Sequence, residues 1–148
     1  MNTRNKLRLG DFLPYRLSVA SNAVSSLISR AYEELFQLTI PEWRSIAILA
    51  EKGEATPLEI SRTARMDKIS VARATRRLQE RGLMRSRDNP ADRRSHFLSL
   101  TDQGSTLYDR VAPLALDLEM DLLRRFTAEE IQALTSMLRR LEAAALGE

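Results

Sequence analysis

The chain has 148 residues, 43% of them apolar and 29% charged, with a net charge of +3. That length supports one domain with a real core, and the absence of cysteine removes disulfides, thiolate nucleophiles and sulfur-ligated zinc together. The opening MNTRNKLRLG is charged and leads into no apolar stretch or cleavage site, and no apolar run is long enough to span a bilayer, so a cytoplasmic protein with no membrane partner is expected.

Between Leu9 and Leu35 the apolar residues Leu13, Leu17, Ala20, Val24, Leu27, Ala31 and Leu35 recur at steps of three and four, with no proline after Pro14. This spacing predicts one long amphipathic helix. Thr39 and Glu42 bracket Pro41 as a capping box would, and WRSIAILA sets Trp43, Ile46 and Leu49 on one face until EKGEA breaks the pattern: a second, short helix. Thr56, Pro57 and Glu59 supply the N-cap, first-turn proline and reaching carboxylate of a third, ending near Ala64. After the turn ARMDK, the stretch from Ile69 to Arg81 points Val71, Ala74 or Thr75, and Leu78 inward, and Gly82 stops it. LMRSR and SHFLSL alternate as strands around the turn formers of DNPAD, which makes a β-hairpin. Thr101 caps a helix carrying Leu107, Val111, Leu114, Leu118 and Leu122 and ending near Phe126. Thr127 and Glu130 then open a last helix with Ile131, Leu134, Leu138, Leu141 and Ala145 at heptad-like spacing.

Two short helices joined by a tight turn and followed at once by a hairpin form a winged helix-turn-helix. The expected fold is therefore mainly α, with a small β-hairpin wing and long N- and C-terminal helices. Charge is concentrated on this part: from Arg62 to Ser95 eleven cations face four anions, a local +7 that leaves the rest of the chain at −4. Such a block points to a polyanion partner, double-stranded DNA. With Val71 and Leu78 inward, Ser70, Arg73, Arg76 and Arg77 face outward on a helix that fits the major groove, where arginine reaches guanine with two hydrogen bonds. Arg73 is expected to read base edges and Arg77 to hold phosphate, with Lys68 and Arg87 in the same contact set. At the hairpin tip, Arg93 and Arg94 are placed to enter the minor groove. Asp92, two residues before Arg94, is expected to hold that guanidinium in one orientation.

An enzyme reading lacks its parts. The one histidine, His96, sits on a wing strand, and there is neither a Gly-rich phosphate loop nor a metal-spaced cluster, so no catalysis, metal or cofactor is expected.

Three stretches, LTIPEWRSIAILA, MDKISVARATRRLQERGLM and DRRSHFLSLTDQG, resemble the MarR family of bacterial multiple-antibiotic-resistance regulators, and the likeness covers nearly the whole chain. The resemblance implies that Arg94 in the Asp-x-Arg wing pattern is the minor-groove residue and Asp92 its partner. It places the family's recognition-helix arginine on Arg73 and its small hydroxyl on Ser70. Arg76 stands where many relatives carry an acidic residue, so no role is carried over to it. The resemblance also implies an obligate homodimer reading a palindrome whose half-sites lie about 10 bp apart. Residues 1–148 would form one such domain, with 36–100 as the DNA-binding lobe and 7–35 and 101–148 as dimerisation helices, Leu13, Leu17, Leu134, Leu138 and Leu141 lying in the seam. Many members release DNA when a small aromatic or phenolic effector binds between the two parts, and Tyr15, Arg16, Trp43 and Arg44 are the candidate lining here. The same four suit a structural role, with Trp43 in the core and the arginines in salt bridges. The expected function is a ligand-responsive repressor, the alternative a winged-helix protein-assembly module with only non-specific DNA affinity.

Overall fold

In the computed structural model, which describes residues 6–148, the chain runs α1 (Leu13–Phe36), α2 (Ile40–Lys52), β1 (Glu54–Ala55), α3 (Pro57–Ala64), α4 (Lys68–Glu80), β2 (Met84–Asp88), β3 (His96–Leu100), α5 (Asp102–Leu122) and α6 (Ala128–Leu146). The first five residues of the charged stretch read above as carrying no leader lie outside the described residues. None of the described helices is long and apolar enough to cross a membrane.

The helix starts follow their caps. Thr56 and Thr127 each accept from the backbone N–H of the third helical residue, and Glu59 and Glu130 reach back to the cap, which completes the two boxes read from sequence. Asp67 caps α4, a role the sequence reading left to an unassigned turn. Two boundaries move. The first helix starts at Leu13 rather than Leu9, because Pro14 opens it from an extended Phe12 and residues Leu9–Asp11 form a separate single 3₁₀ turn. α5 stops at Leu122, four residues before Phe126.

EKGEA does more than end α2. Gly53 takes a positive φ of 83°, and the two residues after it pair with β3, so the wing is a three-stranded antiparallel sheet in the order β1-β3-β2. Met84 lies opposite Leu100 and Ser86 opposite Leu98, while Ala55 pairs with Leu98 from the other side. Met84, Leu98 and Ala55 thereby face the core, and Arg85, Arg87, Glu54 and Ser99 take the other face.

Leu38, Ile46, Leu49, Ile60, Val71, Leu78, Leu98 and Val111 are almost solvent-free and form the core on which the lobe is built. The first turn of α5 closes against it: Thr101 Oγ1 donates to the Gly82 carbonyl at 2.6 Å and accepts from the Gly104 amide at 3.1 Å. Gly104 has to be glycine, since a Cβ there would meet the Leu83 carbonyl oxygen at 2.0 Å.

Two compact units divide the chain within α5, one running to Val111 and the other Ala112–Glu148. The second, taken by itself, buries no residue, and Leu116, Met120, Phe126 and Met137 are among its exposed apolar side chains.

Candidate nucleic-acid interface

α4 presents two unlike faces because its buried positions fall at 71, 74, 75 and 78. Val71, Ala74, Thr75 and Leu78 are all buried, so both residues left open in the sequence reading point inward, and Thr75 satisfies its hydroxyl by donating to the Val71 carbonyl at 2.9 Å. Arg73 and Arg76 are exposed on the opposite face. At the start of the helix Asp67 accepts from the Ser70 amide at 2.8 Å and from the Ser70 hydroxyl at 2.7 Å. Those bonds, the hydroxyl first, hold the Asp67 carboxyl below its ordinary range. Ser70 therefore spends its proton on the cap and meets any other group only as an acceptor.

Arg77 is exposed, as expected, but it lies on the flank of that face toward α2. Its guanidinium stands 3.6 Å from Glu42 Oε1, and Arg81 approaches Glu42 Oε2 at 3.8 Å. Glu42 is only half of the expected capping box: Thr39 Oγ1 accepts from its amide at 3.3 Å, but its carboxylate takes the Thr39 hydroxyl at 2.9 Å instead of the Thr39 amide. The carboxylate is thereby buried between α2 and the two arginines. Arg81 also donates to the carbonyls of Gln37 at 2.9 Å and Phe36 at 3.2 Å, which covers the end of α1. One cluster thus joins the recognition-helix candidate to the corner between α1 and α2.

The wing tip is two turns in series. The Asp92 amide donates to the Asn89 carbonyl at 3.2 Å and the Ser95 amide to the Asp92 carbonyl at 3.1 Å, with Arg93 and Arg94 at the corners of the second turn. Asp92 does not hold the Arg94 guanidinium, contrary to expectation. Its Oδ1 accepts the Arg94 backbone amide at 2.9 Å, so the carboxylate shapes the turn that carries the arginine. Arg87 is also engaged within the protein. It makes a two-point contact with Glu54, at 2.7 and 3.0 Å, over the Phe97 ring at 4.5 Å. Hydrogen bonding from Arg87 keeps the Glu54 carboxyl below its ordinary value and raises Arg87 in return. This clasp ties β2 to β1 across β3 and gives the exposed Arg87 guanidinium a carboxylate partner within the protein.

Lys68 and Arg94, distant in sequence, line one open groove of about 520 Å³ between the start of α3 and the wing, together with Thr56, Asn89 and His96. Among the described residues, no cluster of histidine, aspartate and glutamate is placed to hold a metal ion.

The four effector candidates do not come together in one protomer. Trp43 is stacked between Tyr108, 5.7 Å away and nearly parallel, and Tyr32, 5.5 Å away and tilted. Tyr32 is buried, which raises its pKa against the opposing pull of Arg44. Tyr15 and Arg16 sit on the same α1 as Tyr32 but start 17 residues earlier, about 25 Å along a straight helix. Of the seam candidates, Leu13, Leu134, Leu138 and Leu141 are exposed and Leu17 partly so. Glu54, Asp67 and Tyr108 were missed by the sequence reading, and Glu42, read there only as a capping residue, was missed as the partner of Arg77 and Arg81. Of the four, Asp67 left a local signal, an acidic residue three before Ser70 at a helix start, and Glu42 left one for a cap but none for its ion pairs.

Residues 38–96 match the model of the MarR family. The chain is 31% identical over 125 residues to the HTH-type transcriptional regulator PecS of Dickeya dadantii, covering 80% of this chain and 75% of that protein. It is 30% identical over 128 residues to the homoprotocatechuate degradative operon repressor of Escherichia coli, covering 86% of each. In fold it is similar to a MarR/EmrR family transcriptional regulator from Acinetobacter sp. ADP1, with a TM-score of 0.87 at 24% identity over 96% of this chain and 100% of that one.

Proposed function

The chain belongs to the MarR family of transcriptional regulators, and from that premise we propose that it is a ligand-responsive repressor whose homodimer reads a palindromic operator through α4 and the wing. The observation that carries the reading is how the basic residues divide. Arg77, Arg81 and Arg87 have partners within the protein. Arg73, Arg76, Arg93 and Arg94 are exposed, at two places a duplex can meet together: the outer face of α4 and the tip of the wing. Here Arg73 reads a base edge in the major groove, Arg94 enters the minor groove, and Arg93, Arg76 and Lys68 neutralise phosphate. Arg77 is held to Glu42 and contributes mainly by fixing the pose of α4.

Two further features support the dimer and the effector. The exposed leucines Leu13, Leu134, Leu138 and Leu141 are apolar surface that a second copy would cover. A pocket using Tyr15, Arg16, Trp43 and Arg44 together needs the first pair from the second protomer, since one chain keeps them apart. The name of the Escherichia coli relative refers to an operon for degrading an aromatic acid, and a small aromatic carboxylate suits a site with aromatic walls and arginine.

Selecting binders from random duplexes tests this. A palindromic consensus is expected, and Arg73→Ala should weaken it by about 1–3 kcal/mol while relaxing one base pair per half-site. Binding without any consensus would instead identify an assembly module with non-specific DNA affinity.

A further inference from the structure

We infer that Ile69 is a specificity-determining residue that reads the C5 methyl group of a thymine in the major groove. The inference rests on α4 being the base-reading helix. Ile69 is the second residue of α4 and 72% exposed, more than any other large apolar side chain among the described residues. The fold draws nothing from it at that exposure, and a β-branched residue is not the best helix former for an open surface position. Its place on the wheel is specific, however: Ile69, Arg73 and Arg76 stand at i, i+4 and i+7, one exposed stripe with an aliphatic head and two cations behind it.

Such a stripe matches the floor of the major groove, which offers arginine its acceptor edges and has one apolar group to offer, the thymine methyl. Residues near the start of a recognition helix come closest to the base edges. Asp67 locks that first turn through the Ser70 amide and hydroxyl, so the backbone beside Ile69 is held before DNA arrives. Four residues of helix advance about 6 Å, and successive base pairs about 3.4 Å, so the methyl lies one or two base pairs from the base that Arg73 reads.

The test uses the full chain and the consensus from random duplexes. Each thymine is replaced in turn by deoxyuridine, which removes only the methyl, and fluorescence anisotropy gives Kd for wild type, Ile69→Ala and Arg73→Ala. One position, within two base pairs of the one Arg73→Ala relaxes, should weaken wild-type binding about four-fold per half-site, the worth of one buried methyl. Ile69→Ala should bind the thymine and uracil duplexes alike, and Arg73→Ala should still tell them apart. Because Ile69 is exposed, its alanine variant should keep the wild-type circular dichroism and sedimentation. The inference is overturned if wild type never distinguishes uracil from thymine, if Ile69→Ala still does, or if the consensus has no thymine in that window. A selection that yields no consensus, or one Arg73→Ala leaves unrelaxed, overturns the base-reading role of α4 and takes this inference with it.

Discussion

Arg81→Ala is the perturbation that most directly tests how the recognition helix is held. Glu42 is 1% exposed, its Oε1 accepts the Thr39 hydroxyl at 2.9 Å, and its Oε2 has no hydrogen-bond partner. Its charge is balanced by Arg81 at 3.8 Å and Arg77 at 3.6 Å. Truncating Arg81 leaves a buried carboxylate facing only Arg77, whose side chain is 54% exposed, and uncovers two carbonyls at the end of α1. Removing one partner of a buried pair costs about 3–5 kcal/mol. Arg77 remains to offset part of this, so the expected loss is about 2–4 kcal/mol, a fall in Tm of roughly 5–15 °C for a chain of this size. Glu42→Gln should cost less, about 1 kcal/mol, because the amide still accepts from Thr39 and the arginines left behind reach water. The double variant should then be more stable than Arg81→Ala alone, since no buried charge remains to be abandoned. Thermal and urea unfolding followed by circular dichroism at one protein concentration would give this order. The reasoning fails if Arg81→Ala stays within about 0.5 kcal/mol of wild type, or if adding Glu42→Gln makes it worse.

At the wing, Arg94→Ala should weaken operator binding and lower the salt dependence of log K by about one unit per lost contact. Asp92→Asn should bind as well as wild type or better, because the amide oxygen still accepts the Arg94 N–H and a negative charge is gone, whereas Asp92→Ala should bind less tightly; equal affinities in titration would refute the turn-shaping role. Under the proposed dimer, the wild type should sediment as a dimer and Leu138→Glu as monomer or unfolded chain, and an intact Leu138→Glu dimer of wild-type stability would contradict the seam. The Glu54–Arg87 clasp should depend on pH with a definite sign. Glu54 titrates below its ordinary value of 4.5 when folded, so the clasp's stabilisation is complete above that pH and is lost as pH falls through the depressed value. The Phe97 ring signals in NMR should hold steady down to that range and shift below it, and Arg87→Ala should remove the shift.

Much of the architecture was legible because its causes are local. The Thr56–Glu59 and Thr127–Glu130 boxes close within three residues, the inward stripe of α4 is set by helical spacing, and the hairpin follows from alternation about a turn-forming stretch. These interactions form between near neighbours, so the letters suffice. β1 was not legible: a two-residue strand has no period of its own and exists because β3, more than forty residues on, offers Glu54 and Ala55 a free edge.

The sequence by itself determined the order of the elements, the winged helix-turn-helix plan and the basic surface on it. Only the tertiary structure decided which charges on that surface are already engaged. Glu42 carries the local signature of a capping residue, and nothing near it announces that Arg77 and Arg81 converge on it from another helix. Arg73 and Arg77 are the same residue type one helical turn apart. Chain spacing places both off the buried stripe, but the packing of α4 on α2 leaves Arg73 to solvent and brings a buried carboxylate to Arg77, because an ion pair is set by distance in space and not by separation along the chain.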